Sequence, residues 1–186
     1  MGEDAEADAQ LLRRYAGGEA AAFERLYQRH ERRVWHYLLR NVRNRALAEE
    51  LLQEVWFAVA RAAPQYQPTA RFTTWLFTIA HHHLVDALRR ERRSVSLETL
   101  GMEADGFPGE ERAEPFARAA AAEQGGALAR ALAQLPGEQR DALLLQMEGG
   151  LSVEEVAALT GCGFETAKSR LRYARARLRE LLSECA

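Results

Sequence analysis

Residues 150–178 read GLSVEEVAALTGCGFETAKSRLRYARARL, and this stretch decides how the C-terminal part of the chain folds. Ser152 precedes an apolar helical pattern and Glu155 follows three residues later, which is the spacing of a capping box at a helix start. The pattern ends near Gly161, and a second helix is predicted to begin at Phe164 after a short turn. Two helices joined in this way predict a helix-turn-helix.

The second helix of this motif has two distinct faces when it is read at 100° per residue. Its inner face is predicted to comprise Phe164, Ala167, Leu171, Ala174, Leu178 and Leu181. All six charged residues from Lys168 to Arg179 are basic. Short polar groups and an arginine suit base edges in the DNA major groove, and flanking cations suit phosphates. The candidate DNA-binding residues are Thr166, Lys168, Ser169, Arg170, Arg172, Tyr173 and Arg175. A solvated charged face is the alternative interpretation.

The composition indicates a globular chain. Of its 186 residues 47% are hydrophobic, which is enough for a core and too many for a disordered protein. No apolar run has the length of a membrane-spanning helix, and the charged N-terminus is unlike a signal peptide, so a cytoplasmic location is predicted. Cys162 and Cys185 lack the spacing of metal ligands and are interpreted as reduced thiols.

Charge is distributed unevenly along the chain, whose formal net charge is −2. Residues 1–93 contain 15 basic and 12 acidic residues, a net of +3. Residues 94–125 contain 2 basic and 7 acidic residues, a net of −5. The remaining residues are neutral overall. This distribution predicts two modules that face nucleic acid, joined by a segment that does not.

The sequence outside the acidic middle favours an all-α fold with two small helical domains, because Ala, Leu, Glu and Arg dominate and no alternating strand pattern persists. In the first domain, helices are predicted at about 9–16, 19–41, 45–62 and 72–92. The predicted organisation is a flexible N-terminus over 1–8, a first domain over 9–93, a flexible acidic linker over 94–126 and a second domain over 127–186.

The helix predicted over 45–62 has a candidate protein-binding face. Its inner side is predicted to comprise Leu51, Leu52, Val55, Trp56 and Val59. The other side carries Glu50, Gln53, Glu54 and Arg61, with Phe57 among them. A large aromatic residue among exposed polar groups often marks a protein-binding surface. Packing of Phe57 against a neighbouring helix is equally compatible with the sequence.

The helix predicted from Phe72 to about Arg92 has an apolar and a polar face. The inward residues are predicted to be Phe72, Trp75, Leu76, Ile79, Ala80, His83 and Leu84. The residues predicted to point outward are Thr74, Thr78, His81, Val85, Arg89 and Arg92, with His82 at the edge. The loop before the helix contains Tyr66, Gln67 and Arg71. This polar, mildly basic surface suits stacking and phosphate contacts with an unpaired nucleic-acid strand.

The run His81-His82-His83 does not predict a metal site. Successive helical residues diverge by 100°, and no other His or Cys lies four residues away. The sequence also contains no recognisable nucleophile–base pair, phosphate loop or metal cluster. We therefore expect neither an enzyme nor a cofactor.

Three groups of motifs, in this order, resemble the extracytoplasmic-function sigma factors of bacterial RNA polymerase, and the resemblance covers nearly the whole chain. The first is AEELLQEVW at residues 48–56, and the second is FTTWLFTIA at 72–80 followed by Asp86 and Arg89-Arg90. The third comprises Leu135-Pro136, Gln139-Arg140, GLSVEEVA at 150–157, TAKSRL at 166–171 and Ala174-Arg175. His82 departs from the pattern, since the family usually has Asn there.

The resemblance implies a sigma-2-like domain and a sigma-4-like domain, with core RNA polymerase, promoter DNA and an anti-sigma factor as partners. It assigns polymerase binding to Glu50, Gln53, Glu54 and Phe57. It assigns binding of the single-stranded minus-ten DNA to Tyr66, Gln67, Arg71, Thr74, Thr78, His81, His82 and Arg89. The helix from Phe164 would read the minus-thirty-five duplex, the acidic linker would thread the polymerase, and the polymerase would supply the catalysis. The rival hypothesis is a free-standing helix-turn-helix repressor or activator, which typically binds a paired site as a dimer.

Overall fold

The computed structural model describes residues 3–98 and 126–183, and the regular structure of these residues is entirely helical. The helices are α1 (Glu3–Ala16), α2 (Ala20–Val42), α3 (Arg45–Ala62), α4 (Phe72–Glu98), α5 (residues 126–133), α6 (Gly137–Met147), α7 (Val153–Thr160) and α8 (Phe164–Ser183). A short 3-10 turn, Ala63–Gln65, follows α3. The predicted all-α fold is confirmed. The predicted acidic linker falls mainly on residues 99–125, outside the described residues, and the predicted domain boundaries stay predictions.

Two helix ends differ from the predicted positions. Helix α4 continues to Glu98 rather than ending near 92, because the first helix-breaking residue beyond Arg92 is Gly101. Helix α1 begins at Glu3 rather than near residue 9. Asp8, assigned from the sequence to a flexible terminus, is buried and accepts hydrogen bonds from Arg29 and His30 on α2.

The core of the first four helices is built from the apolar stripes of α2, α3 and α4. The turn between α2 and α3 is set by Asn44, whose side chain accepts a hydrogen bond from the backbone N–H of Leu47 at 3.2 Å and so caps α3. Helix α3 buries Leu51, Val55 and Val59 completely against its neighbours. This arrangement leaves the opposite face of α3 free of the core.

The C-terminal helices α5–α8 pack directly on the N-terminal helices α1–α4, and one apolar cluster contains buried residues from both groups. Phe77 of α4 is fully buried, with its ring 5.5 Å from that of Tyr37 on α2. A Cβ placed on Gly149, in the turn after α6, would lie 2.5 Å from the carbonyl oxygen of Leu145 and 3.1 Å from Cγ of Phe77. Only glycine allows the backbone to approach the Phe77 ring this closely.

Within the described part of the chain, none of the helices combines the length and apolarity needed to cross a lipid bilayer.

Candidate nucleic-acid interface

The helix-turn-helix predicted from residues 150–178 is formed by α7 and α8. The hydroxyl of Ser152 accepts a hydrogen bond from the backbone N–H of Glu155 at 3.2 Å, and the Glu155 carboxylate accepts one from the backbone N–H of Ser152 at 2.7 Å. Gly161 ends α7 in the left-handed region, with φ 65°. The predicted capping box and the predicted turn are therefore both confirmed.

The inner face of α8 begins one turn later than predicted. Ala167, Leu171 and Ala174 are buried as expected. Phe164, predicted to point inward, is 43% exposed, and its ring lies 5.8 Å from Nζ of Lys168. The angular projection places Phe164 on the inner side, but burial along that side starts only at Ala167. The first turn of α8 therefore offers an aromatic side chain to solvent.

The outer face of α8 holds its cations in two different ways. Arg172 is exposed, lies 4.8 Å from the centroid of the Tyr173 ring, and donates a hydrogen bond to the Tyr173 hydroxyl at 3.1 Å. Arg170 donates to Glu138 and Arg175 donates to Gln146, both acceptors being on α6. The two flanking arginines are thus anchored to the supporting helix, whereas Arg172 is held by its own helix and points outward. Of the other candidates on α8, Thr166 and Lys168 are exposed and Ser169 is half-buried.

The polar face of α3 carries an outward aromatic residue. Phe57 is 68% exposed, so the structure favours the protein-binding interpretation over packing on a neighbouring helix. Glu50 and Gln53 are also exposed. The carboxylate of Glu54 lies 3.0 Å from Nδ1 of His83, a residue predicted to pack inward on α4 that is half-buried instead. The predicted polymerase-binding residues therefore form one continuous surface along α3.

Two grooves flank Phe57, and the sequence pattern revealed neither of them. The first groove is aromatic: the ring of Trp56 lies 5.7 Å from the ring of Phe23 and 5.0 Å from that of Tyr27, and Tyr15 also lines the groove. The second groove is basic and is lined by Arg61, Arg89, Arg90 and Arg93, together with Glu54 and Asp86. Residues from α1, α2 and α4 meet α3 here, so helical periodicity within α3 alone could not indicate them.

The predicted minus-ten surface is only partly open to solvent. Gln67, His82 and Arg89 are exposed. The ring of Tyr66 packs 4.8 Å from that of Trp75, and burial raises the pKa of the Tyr66 hydroxyl. Thr78 donates a hydrogen bond to the carbonyl oxygen of Thr74 at 2.8 Å, which keeps this hydroxyl on its own helix.

His81 was predicted to point outward, and this orientation is wrong. It is buried, with Nδ1 3.0 Å from the Tyr37 hydroxyl and 3.3 Å from Oδ2 of Asp141 on α6. Tyr37 also donates to Oδ1 of Asp141 at 2.8 Å. The polar side of α4 that carries His81 points away from the other N-terminal helices. Helix α6 packs over this side, however, and buries His81. For the same reason Phe77, left out of the predicted inward face, is fully buried.

Arg71 and Thr74 contact the first turn of α7. Arg71 donates to the Glu155 carboxylate at 2.6 Å and to the carbonyl oxygen of Gly150 at 2.9 Å, and Thr74 donates to the other carboxylate oxygen of Glu155 at 2.7 Å. Burial tends to raise the pKa of Glu155, but the hydrogen bonds from Ser152, Thr74 and Arg71 outweigh it and leave that pKa below its ordinary value. Glu155 is therefore ionised at neutral pH.

A further ion pair joins α2 to the end of α6. Arg40 donates to the half-buried carboxylate of Glu148. Burial raises the pKa of Glu148, while Arg40 and Arg33 oppose that rise. The interface between the two groups of helices thus combines a buried apolar centre with charged and polar contacts around it.

Replacing Tyr37 by Phe is expected to change how stability depends on alkaline pH. Burial and the nearby Asp141 raise the pKa of Tyr37 well above its usual value. The folded state therefore keeps this proton when the unfolded chain releases it, and stability falls as pH rises above about 10. At pH 7 the free energy of unfolding of Tyr37→Phe should be about 1 kcal/mol lower than that of wild type. Between about pH 10 and 11 the variant should lose less of its remaining stability than wild type does. Urea unfolding at pH 7 and across this alkaline range measures both effects, and Tyr173→Phe, at an exposed position, is the control. The same dependence of stability on pH in Tyr37→Phe and wild type would contradict the prediction.

In the described ranges, no group of three or more His, Cys, Asp or Glu side chains is placed to hold a metal ion.

Comparison with known proteins identifies relatives along both groups of helices. The family model of sigma-70 region 2 matches residues 26–94, and that of sigma-70 region 4 matches residues 125–178. The RNA polymerase sigma factor CarQ of Myxococcus xanthus is 38% identical over 177 residues, which cover 93% of this chain and 96% of CarQ. The ECF RNA polymerase sigma factor SigM of Mycobacterium tuberculosis is 32% identical over 183 residues, covering 97% of this chain and 87% of SigM.

A solved structure shows the same fold. The sigma factor RpoE of Bartonella quintana, determined in complex with the anti-sigma factor NepR, matches with a TM-score of 0.68 at 24% identity, covering 87% of this chain and 96% of RpoE.

These similarities include the N-terminal helices, which a free-standing helix-turn-helix regulator would not need. Both relatives match over most of their own length, so the likeness is not confined to the DNA-reading motif. The chain therefore belongs to the extracytoplasmic-function sigma factors, which bind core RNA polymerase and direct it to initiate transcription at specific promoters.

Proposed function

We propose that this sigma factor performs promoter recognition through three surfaces and that the polymerase supplies all of the chemistry. The observation that carries this proposal is the outer face of α8, where an outward arginine stands between two arginines anchored to α6. A helix that reads duplex DNA needs both kinds of cation, one for base edges and one for the phosphate backbone.

At the minus-thirty-five element, α8 lies in the major groove, and Ser169 and Arg172 contact base edges. Arg170 and Arg175 mainly contact phosphates, since each guanidinium is held at the flank of α8 by a partner on α6. Thr166, Lys168 and Tyr173 complete the surface near the N-terminal end of α8. Their exposure supports this assignment.

Arg172→Ala is expected to relax sequence preference at one position of the minus-thirty-five element, with a loss of about 1–3 kcal/mol for the preferred base. Arg175→Ala should instead weaken binding to all sequences similarly and reduce the salt dependence. Binding of holoenzyme to a panel of promoters with single changes in this element measures both effects. An unchanged preference in Arg172→Ala would refute the assignment of base contacts to this residue.

At the minus-ten element, the proposed surface for the unpaired strand comprises Tyr66, Gln67, Arg71, Thr74, Thr78, His81, His82 and Arg89. Arg71, Thr74 and His81 contact the C-terminal helices in this structure. The complete surface therefore requires the two groups of helices to separate.

The polymerase contact is assigned to Glu50, Gln53, Glu54 and Phe57 on α3. The two grooves beside Phe57 support this assignment, because a large exposed aromatic residue between concave surfaces is typical of protein interfaces. Reconstitution with core polymerase tests the function as a whole: promoter-specific transcription should depend on both proteins. Tight, sequence-specific DNA binding by the isolated chain as a dimer would favour the repressor hypothesis instead.

An anti-sigma factor is a further proposed partner. The family resemblance implies it, and it would act by covering surfaces that the polymerase needs. Recovery of a specific inhibitory protein with the full chain, and its displacement by core polymerase, would support the proposal.

A further inference from the structure

We infer that Arg71 and Thr74 form a site for a phosphate of the DNA backbone, and that Glu155 of the helix-turn-helix occupies this site in the closed chain. The inference rests on the proposed minus-ten surface and adds an internal competitor to it. The C-terminal helices would then regulate the N-terminal helices: α7 covers the phosphate site at the start of α4 until the chain opens.

The geometry of this contact is that of anion recognition. One carboxylate oxygen of Glu155 accepts a hydrogen bond from Arg71 at 2.6 Å, and the other accepts one from the Thr74 hydroxyl at 2.7 Å. A guanidinium and a hydroxyl that bind both oxygens of a carboxylate can bind two oxygens of a phosphate in the same way. Arg71 remains exposed, so that a nucleic-acid strand could reach it when Glu155 leaves.

Glu155 is held in position by its own helix. The capping box fixes its carboxylate over the backbone N–H of Ser152, and the nearby Gly150 lies in the left-handed region, with φ 66°. The carbonyl oxygen of Gly150 then accepts a second hydrogen bond from Arg71 at 2.9 Å. The Glu155 carboxylate is therefore already ordered by its own helix, which lowers the entropic cost of its binding to Arg71 and Thr74.

The rest of the interface keeps α7 near α4. Asp141 of α6 contacts Tyr37 and His81, and Glu148 pairs with Arg40. Three acidic residues of the C-terminal helices thus face basic or hydrogen-bonding groups of the N-terminal helices. His81, another residue of the proposed minus-ten surface, is buried by the same closure.

The test uses the full chain and a fluorescent 12-nucleotide single-stranded DNA of mixed sequence at low salt. Glu155→Gln keeps the capping box, which accepts Gln as well as Glu, but removes the charge that competes with phosphate. Its affinity for the oligonucleotide should rise about 2- to 5-fold, the range expected for loss of a partly exposed ion pair. Glu154→Gln is the matched control: it removes the same charge from the same turn at an exposed position, and should leave the affinity unchanged.

A second comparison separates this inference from the proposed function. In the Glu155→Gln background, Arg71→Ala should lower oligonucleotide affinity if Arg71 binds phosphate. If that loss occurs but Glu155→Gln alone binds like wild type, the competition is overturned while the minus-ten surface stands. If Arg71→Ala has no effect, the phosphate site and the assignment of Arg71 both fail. An equal rise in Glu154→Gln would show a general effect of net charge and would also overturn the competition.

Discussion

Phe77→Ala is expected to lower the free energy of unfolding by about 3–5 kcal/mol, the largest effect on stability that we predict. The Phe77 ring is fully buried and contacts both groups of helices, lying 5.5 Å from the Tyr37 ring and against the turn at Gly149. Its removal leaves a cavity at the centre of the interface between the two groups of helices. Denaturant unfolding measures the loss, and hydrogen exchange in α6 and α7 should show faster opening in the variant.

The turn beside Phe77 provides a matched pair of variants. Gly149→Ala adds a methyl group against the Leu145 carbonyl oxygen and the Phe77 ring, and such overpacking costs about 1–3 kcal/mol. Gly137→Ala adds the same group where no other atom lies within 4 Å, so its effect should stay within about 0.5 kcal/mol. If Gly149→Ala unfolded like wild type, the crowding of this turn would not exist in solution.

Phe57→Ala is expected to weaken binding to core polymerase by about 30-fold or more, the effect of losing about 2 kcal/mol at an interface hot spot. The side chain is 68% exposed in the free chain and stands between the aromatic and the basic groove. Because little of it is buried, its truncation should change the free energy of unfolding by no more than about 0.5 kcal/mol. Titration of labelled chain with core enzyme and denaturant unfolding give the two numbers.

Met147→Ala is the control for Phe57→Ala, since Met147 is another exposed large apolar residue and lies on α6, away from α3. It should leave polymerase affinity unchanged. A large loss of stability in Phe57→Ala with unchanged polymerase affinity would show that Phe57 is a packing residue and that the polymerase binds elsewhere.

The helix-turn-helix and its capping box could be predicted from the sequence because their signals are local. Ser152 and Glu155 bond to each other's backbone within one turn, and Gly161 ends α7 through its own backbone conformation. The inner face of α8 was predicted correctly except at Phe164, where the helix projects beyond the residues that bury it.

The contacts between the two groups of helices could not be predicted in this way. Periodicity shows which face of a helix is apolar, but the face of α4 that meets α6 and α7 is polar apart from Phe77 and resembles a solvated surface. His81 and Thr74 were therefore predicted to be outward, although their partners, Asp141 and Glu155, lie in the other group of helices. Such contacts between residues distant in sequence are visible only once the chain is folded.

The early start of α1 has a consequence for shortened forms of this sigma factor. Asp8 is the buried acceptor for Nε2 of His30, at 2.8 Å, and the other ring nitrogen of His30 is buried without a hydrogen-bond partner in the described structure. A truncation that begins the chain at Ala9 would look harmless from the sequence, since it removes only a short acidic segment. It would nevertheless remove the one hydrogen bond that the buried His30 ring makes among the described residues. Removing one member of a buried pair destabilises the fold far more than removing one member of an exposed pair. Trimming at residue 3 instead would leave this contact intact.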